Sequence, residues 1–133
     1  MRASLILARQ TVTHEDGRVD LIDAGWNAIV KPKPFVVVTL ITCPSELCGT
    51  NHKMRIDLLD DAGETIGKPV AKTRKFRAER NKAIPVGSGV AVAPIVTPIE
   101  HFDHPPGRYA LRLSINEMAD DGWILPIVRA KAQ

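Results

Sequence analysis

The sequence predicts an all-β protein: an antiparallel two-sheet β-sandwich, immunoglobulin-like or jelly-roll-like, with about seven to nine strands in one domain over residues 1–133. Three observations predict it. First, His52 to Ile66 sets Met54, Ile56 and Leu58 between Lys53, Arg55 and Asp57, then turns at Asp60-Asp61-Ala62-Gly63; period-two alternation closed by an Asp/Gly turn is a half-buried strand entering a hairpin. Second, the same grammar recurs along the chain. Third, ten prolines spread from Pro32 to Pro126 leave little room for long helices, because proline removes a backbone donor and clashes with the preceding turn.

In chain order, Ala3 to Val12 reads as the first strand, and His14-Glu15-Asp16-Gly17 as a turn with the positive-φ position that a tight hairpin needs. Arg18 to Ala24 returns, and Gly25-Trp26 is expected to break that strand, with Trp26 plugging a sandwich end and a stacking role as the minor alternative. Lys31 to Pro34 reads as an extended linker. Phe35 to Cys43 is apolar at successive positions, as in a central strand covered on both faces or lying at an interface. Pro44 to Asn51 is a loop, and Lys53 to Leu59 pairs with Glu64 to Ile66. Gly67 to Lys82 reads as a basic edge strand or long loop, and Gly87 to Ile95 as a strand that Pro94 places at an edge or bulge. After the loop at 101–107, Arg108 to Asn116 turns Tyr109, Leu111, Leu113 and Ile115 inward and Arg108, Arg112 and Asn116 outward. Asp120-Asp121-Gly122 is expected to be a hairpin turn, and Trp123 to Val128 closes the sheet, with Pro126 favouring an edge. A small closed barrel is the alternative that the strand pattern leaves open.

Composition bounds the function. The chain is 44% hydrophobic and 25% charged with net charge +3, values of a soluble globular domain large enough to fold on its core. The apolar run near Met1 is cut by Arg9, so neither a signal peptide nor a membrane helix is expected. A virion or the host cytoplasm is the expected location. Two cysteines are too few for a disulfide scaffold.

Candidate chemistry is thin. Cys43, Cys48 and His52 gather two thiols and an imidazole in one loop, and His101 and His104 could add a ligand. Four residues separate the cysteines and a second pair is lacking, so no metal site is expected. His101-Phe102-Asp103-His104 lacks a nucleophile in context, because Ser88 sits in a Gly-Ser-Gly turn rather than a strand-turn-helix elbow. Asp60-Asp61 and Asp120-Asp121 read as turn residues, and no phosphate loop or dinucleotide fingerprint is present. The chain is therefore expected to be non-enzymatic and to need no cofactor.

The surface signal is residues 68–82, which carry Lys68, Lys72, Arg74, Lys75, Arg77, Arg80 and Lys82 against Glu79. That segment holds net +6 of a chain total of +3, leaving the rest at −3. Lys72, Arg74, Lys75, Arg77 and Arg80 are the expected partner-binding residues, for an oppositely charged partner; the bland counterpart is a charged edge strand guarded against aggregation. Phe76 is the one ring among them, so nucleic acid is disfavoured and an acidic protein surface preferred.

Three runs, Arg18 to Trp26, Lys53 to Glu64 and Pro105 to Leu113, resemble a family of small uncharacterised β-domain proteins of actinobacteria, other bacteria and their phages. The resemblance implies fold and supplies no catalytic residues. The expected function is a structural or binding module, most concretely a phage virion protein such as a homo-oligomeric capsid decoration protein docking through its charged face. A cellular β-sandwich binding a small molecule, carbohydrate or protein, with Trp26 or Trp123 exposed, is the alternative.

Overall fold

The computed structural model describes residues 1–31, 33–78 and 90–131. They form an all-β, two-sheet sandwich. Its strands are β1 (Arg2–Thr13), β2 (Val19–Trp26), β3 (Ala28–Ile29), β4 (Phe35–Pro44), β5 (Asn51–Leu59), β6 (Ala71–Arg77), β7 (Val90–Ile99), β8 (Gly107–Ile115) and β9 (Met118–Arg129). One sheet runs β2-β1-β4-β7 and the other β3-β9-β8-β5-β6. All pairings are antiparallel except the two-residue β3, which runs parallel to β9. No helix among the described residues is long and apolar enough to cross a membrane.

Alternation builds the core. Leu7, Phe35, Val37, Ile41, Ile95 and Ile99 from the four-stranded sheet meet Met54, Ile56, Leu58, Leu111, Leu113, Ile115 and Ile127 from the five-stranded sheet. Each is removed from water, and each such side chain contributes roughly 1.5–3 kcal/mol of transfer free energy. The intervening residues of β5 and β8 point to the far side of the five-stranded sheet, where Asp57 and Ser114 are buried beneath their neighbours.

Several elements depart from the sequence reading. Residues 60–63 do turn, with Gly63 at φ 83° and its N–H donating to Asp60 O at 3.0 Å. The return at residues 64–66 is only a bridge between Leu59 and Thr65, however, and β6 is the full partner of β5. Asp120 to Gly122 lies inside β9. The hairpin turn is instead Asn116-Glu117, at φ 52° and 68°. Two positive φ values in a two-residue loop match the twist of the flanking strands, and no glycine announces them. Gly25-Trp26 continues β2 through a register shift rather than ending it. β9 is not an edge strand, since β3 pairs with it at Val128 and Arg129. The Arg129 guanidinium fastens that contact, donating to Ile29 O at 3.2 Å and Val30 O at 2.9 Å. The expected edges do appear at β6 and at proline-bearing β7; residues 87–89 of the predicted strand lie outside the described residues.

The β1–β2 hairpin bends back on its own sheet. β1 pairs with β4 only as far as Ala8, and β4 carries the ladder on to β7. A straight continuation would set Thr13 about 23 Å along the strand direction from Val96. Thr13, Asp16, Gly17 and Val19 instead border one cleft with Pro94, Ile95 and Val96. The curl explains a burial that a bare sheet face would not give: Ala8 and Val38, both pointing away from the sandwich interior, are 0% exposed. β4 is thus a central strand covered on both faces.

Candidate functional site

The outer face of the five-stranded sheet is basic because two alternations coincide. On β5, Met54, Ile56 and Leu58 enter the core, so Lys53, Arg55 and Asp57 point out. On β8, Leu111 and Leu113 enter the core, so Arg112 points out, with Arg108 four residues earlier on the same side. Register then brings them together, with Asp57 opposite Arg112 and Arg55 opposite Ser114. On β6, Lys75 stands opposite Lys53 and Arg77 opposite Asn51. Six cationic positions therefore share one face: Lys53, Arg55, Lys75, Arg77, Arg108 and Arg112.

Asp57 is the carboxylate beneath this array. Its side chain is 4% exposed, and it accepts a hydrogen bond from Arg55 Nε at 2.9 Å while Arg112 NH2 stands at 3.7 Å. A buried carboxylate between two guanidinium groups orients both. One negative charge leaves the array strongly positive, with Glu117 near its margin beside Lys53 and Arg55. The Lys53 backbone is pinned by Asn116, whose Oδ1 accepts from Lys53 N at 3.0 Å and whose N–H donates to Lys53 O at 2.8 Å. Ile124 and Val128 extend the same face as an apolar margin, 39% and 40% exposed, opposite Arg112 and Arg108.

Of the residues expected from the sequence, Lys75 and Arg77 are exposed on β6. Lys72 and Arg74 occupy β6 positions, and Arg80 lies outside the described residues. Lys53, Arg55, Arg108 and Arg112 complete the face. Their outward direction is legible in the alternation, but joining them to β6 requires the strand order.

The described side chains of the cysteine-histidine loop are engaged in contacts within the protein. His52 is buried against the Phe76 ring, with centroids 5.5 Å apart. Its Nε2 lies 3.0 Å from Leu47 O and its Nδ1 3.1 Å from Asn116 Nδ2. The Asn116 orientation is fixed by its bond to Lys53 N, which assigns the proton to Nε2. Both ring nitrogens are thereby engaged. The Cys48 thiol donates to Pro44 O at 3.4 Å, and both cysteines are free. Burial pushes the Cys43 thiol above its ordinary pKa, and Cys48 beside it adds to the shift. His104 packs on the Phe102 and Tyr109 rings at 4.9 and 5.8 Å, while His101 and Asp103 are exposed. Among the described residues, no three His, Cys, Asp or Glu side chains converge as metal ligands would. Ser88 lies outside the described residues.

No protein-family model matches the chain, and neither a curated protein nor a solved structure matches it.

Proposed function

We propose that the protein is a non-enzymatic docking module that seats the outer face of its five-stranded sheet on an acidic protein surface. The observation that carries this reading is Lys53 directly opposite Lys75 within a six-cation face. Like charges facing across a ladder destabilise a sheet by roughly 0.2–1 kcal/mol. A face that concentrates such repulsion is suited to a partner that relieves it, and complementary charge speeds and orients encounter. Among the described residues that face carries no aromatic ring, so it lacks the stacking platform of a single-strand nucleic-acid binder. A repeating acidic shell, such as a phage capsid decorated by many copies, is the concrete partner: multiple weak contacts then sum to stable attachment.

The test is retention on immobilised poly-L-glutamate at low ionic strength. The wild-type chain is expected to bind and to elute with salt, because exposed charge pairs are screened. The Lys53→Glu/Lys75→Glu variant, with an unchanged circular dichroism spectrum, is expected to flow through. Equal retention of both proteins would exclude this face as the docking surface.

A further inference from the structure

A cavity of about 270 Å³ opens between the two sheets at the end of the sandwich where β4 begins and β7 ends. Phe35 and Val37 of β4, Ile99 of β7 and Leu111 of β8 line it, and Val70 and Phe102 from the flanking loops complete the apolar wall. Val37 is 0% and Leu111 2% exposed, so the cavity runs inward to side chains that belong to the core. Its walls are held in place. The buried Phe102 ring packs edge-on against His104 at 4.9 Å and Tyr109 at 5.7 Å, and the Tyr109 hydroxyl donates to Pro105 O at 2.6 Å. Ile66 N donates to Leu58 O at 2.8 Å, which ties the segment leading to Lys68 and Val70 onto β5.

Two opposite charges stand on this one cavity. Lys68 and Glu100 both line it, and both are exposed. Among the described residues, no ion pair joins them to each other or to a neighbour. His101 and His104 are the other ionisable groups on the lining. The apolar wall selects an apolar body: a cavity of about 150 Å³ already admits a benzene ring, so this one has room for a ring and the carbons that carry it. The rim selects what that body must carry. An anion alone would meet Lys68 but be repelled by Glu100, and a cation alone would meet the reverse. A ligand bearing both signs satisfies both groups, and its charges stay at the solvent edge, where they keep part of their hydration.

We infer that this cavity binds a free amino acid with an aromatic side chain, its ring among Phe35, Ile99, Phe102 and Leu111, its α-carboxylate at Lys68 and its α-ammonium at Glu100. A residue inside a peptide carries neither backbone charge and a chain terminus carries one, so the free zwitterion is the form that satisfies both rim groups. The cavity shares no residue with the basic outer face, so either function can fail without the other.

The experiment follows the methyl signals of the full-length ¹³C-methyl-labelled chain by NMR during separate titrations with three compounds. L-phenylalanine carries both charges, 3-phenylpropanoate lacks the ammonium, and L-phenylalaninamide lacks the carboxylate and mimics a chain N-terminus. The Ile99 δ1-methyl signal is identified by its loss in Ile99→Val. That of exposed Ile124, identified in the same way, is the internal control. L-phenylalanine is expected to move the Ile99 signal saturably while Ile124 stays in place. Each analogue is expected to bind about three- to fivefold more weakly, the scale of one exposed charge pair. Glu100→Gln should erase the preference over 3-phenylpropanoate, and Lys68→Gln the preference over the amide, each with an unchanged circular dichroism spectrum because both side chains are exposed. An Ile99 signal that L-phenylalanine does not move, or equal affinity of the wild-type chain for all three compounds, would overturn the assignment.

Discussion

Thr39 and Thr97 set two hydroxyls in an otherwise apolar interior. Thr39 lies opposite Ile95 and Thr97 opposite Val37, so they are diagonal neighbours on adjoining strands. Both are buried, and among the described residues neither Oγ1 has a hydrogen-bond partner. An unmet buried hydroxyl carries its desolvation penalty without return, and valine replaces it with a methyl group of the same shape. Thr39→Val/Thr97→Val is therefore expected to raise the urea midpoint by an amount corresponding to roughly 1–3 kcal/mol, with the slope unchanged; a lower midpoint would show that the hydroxyls are partnered in solution. At the surface, His14 Nε2 lies 2.7 Å from the Asp20 carboxylate. That hydrogen bond, with the charge of Asp20, raises the His14 pKa above its ordinary 6.5. A raised folded pKa means that the pair stabilises the hairpin below about pH 6.5 and that this support is lost as pH rises through the folded value. NMR titration should place the His14 midpoint above 6.5, and Asp20→Asn should return it to the ordinary range. The buried role of His52 shows where sequence reading stops at this scale. The sequence sets His52 beside Cys48 in one loop from which no metal site was expected, whereas the partners that engage its ring nitrogens include Asn116, 64 residues away.

Among the elements, the β1–β2 hairpin depends most on backbone conformation. Its bend coincides with the register shift at Leu7/Ala8 and with two residues of β2 in the left-handed region, Asp23 at φ 52° and Gly25 at φ 91°. A Cβ added at Gly25 would meet nothing within 4 Å, so Gly25→Ala tests conformation without steric conflict. Alanine in that region is expected to destabilise the chain by more than about 1 kcal/mol, and a denaturant titration reads it directly. Strands with clean alternation, β5 and β8, were legible from sequence almost to the residue, because each buries one face against the other sheet and a one-residue slip would reverse it. The turns were less legible. Asn116-Glu117 makes its two-residue turn without the Asn-Gly or Asp-Gly signal, while the Asp120-Asp121-Gly122 signal sits inside a strand, where Asp120 Oδ1 accepts from Gly122 N at 2.8 Å. Local chemistry favours a turn at Asp120-Asp121-Gly122, and the pairing of β8 with β9 places it at Asn116-Glu117 instead.

Across the whole molecule, charge is sorted by face more than by segment. Residues 68–82 supplied the visible signal, yet Lys75 and Arg77 on β6 are only the margin of an array whose middle comes from β5 and β8. By itself the sequence determined the all-β class and the inward and outward residues of its regular strands. These follow from period-two burial and from proline's missing donor, which are properties of neighbouring residues along one chain. Only the tertiary structure decided the strand order, the return of the hairpin over Val38, the true turn between β8 and β9, and the union of Lys53, Arg55, Arg108 and Arg112 with β6. Those outcomes rest on pairings between residues far apart in sequence, and alternation along a strand carries no information about which strand will lie beside it.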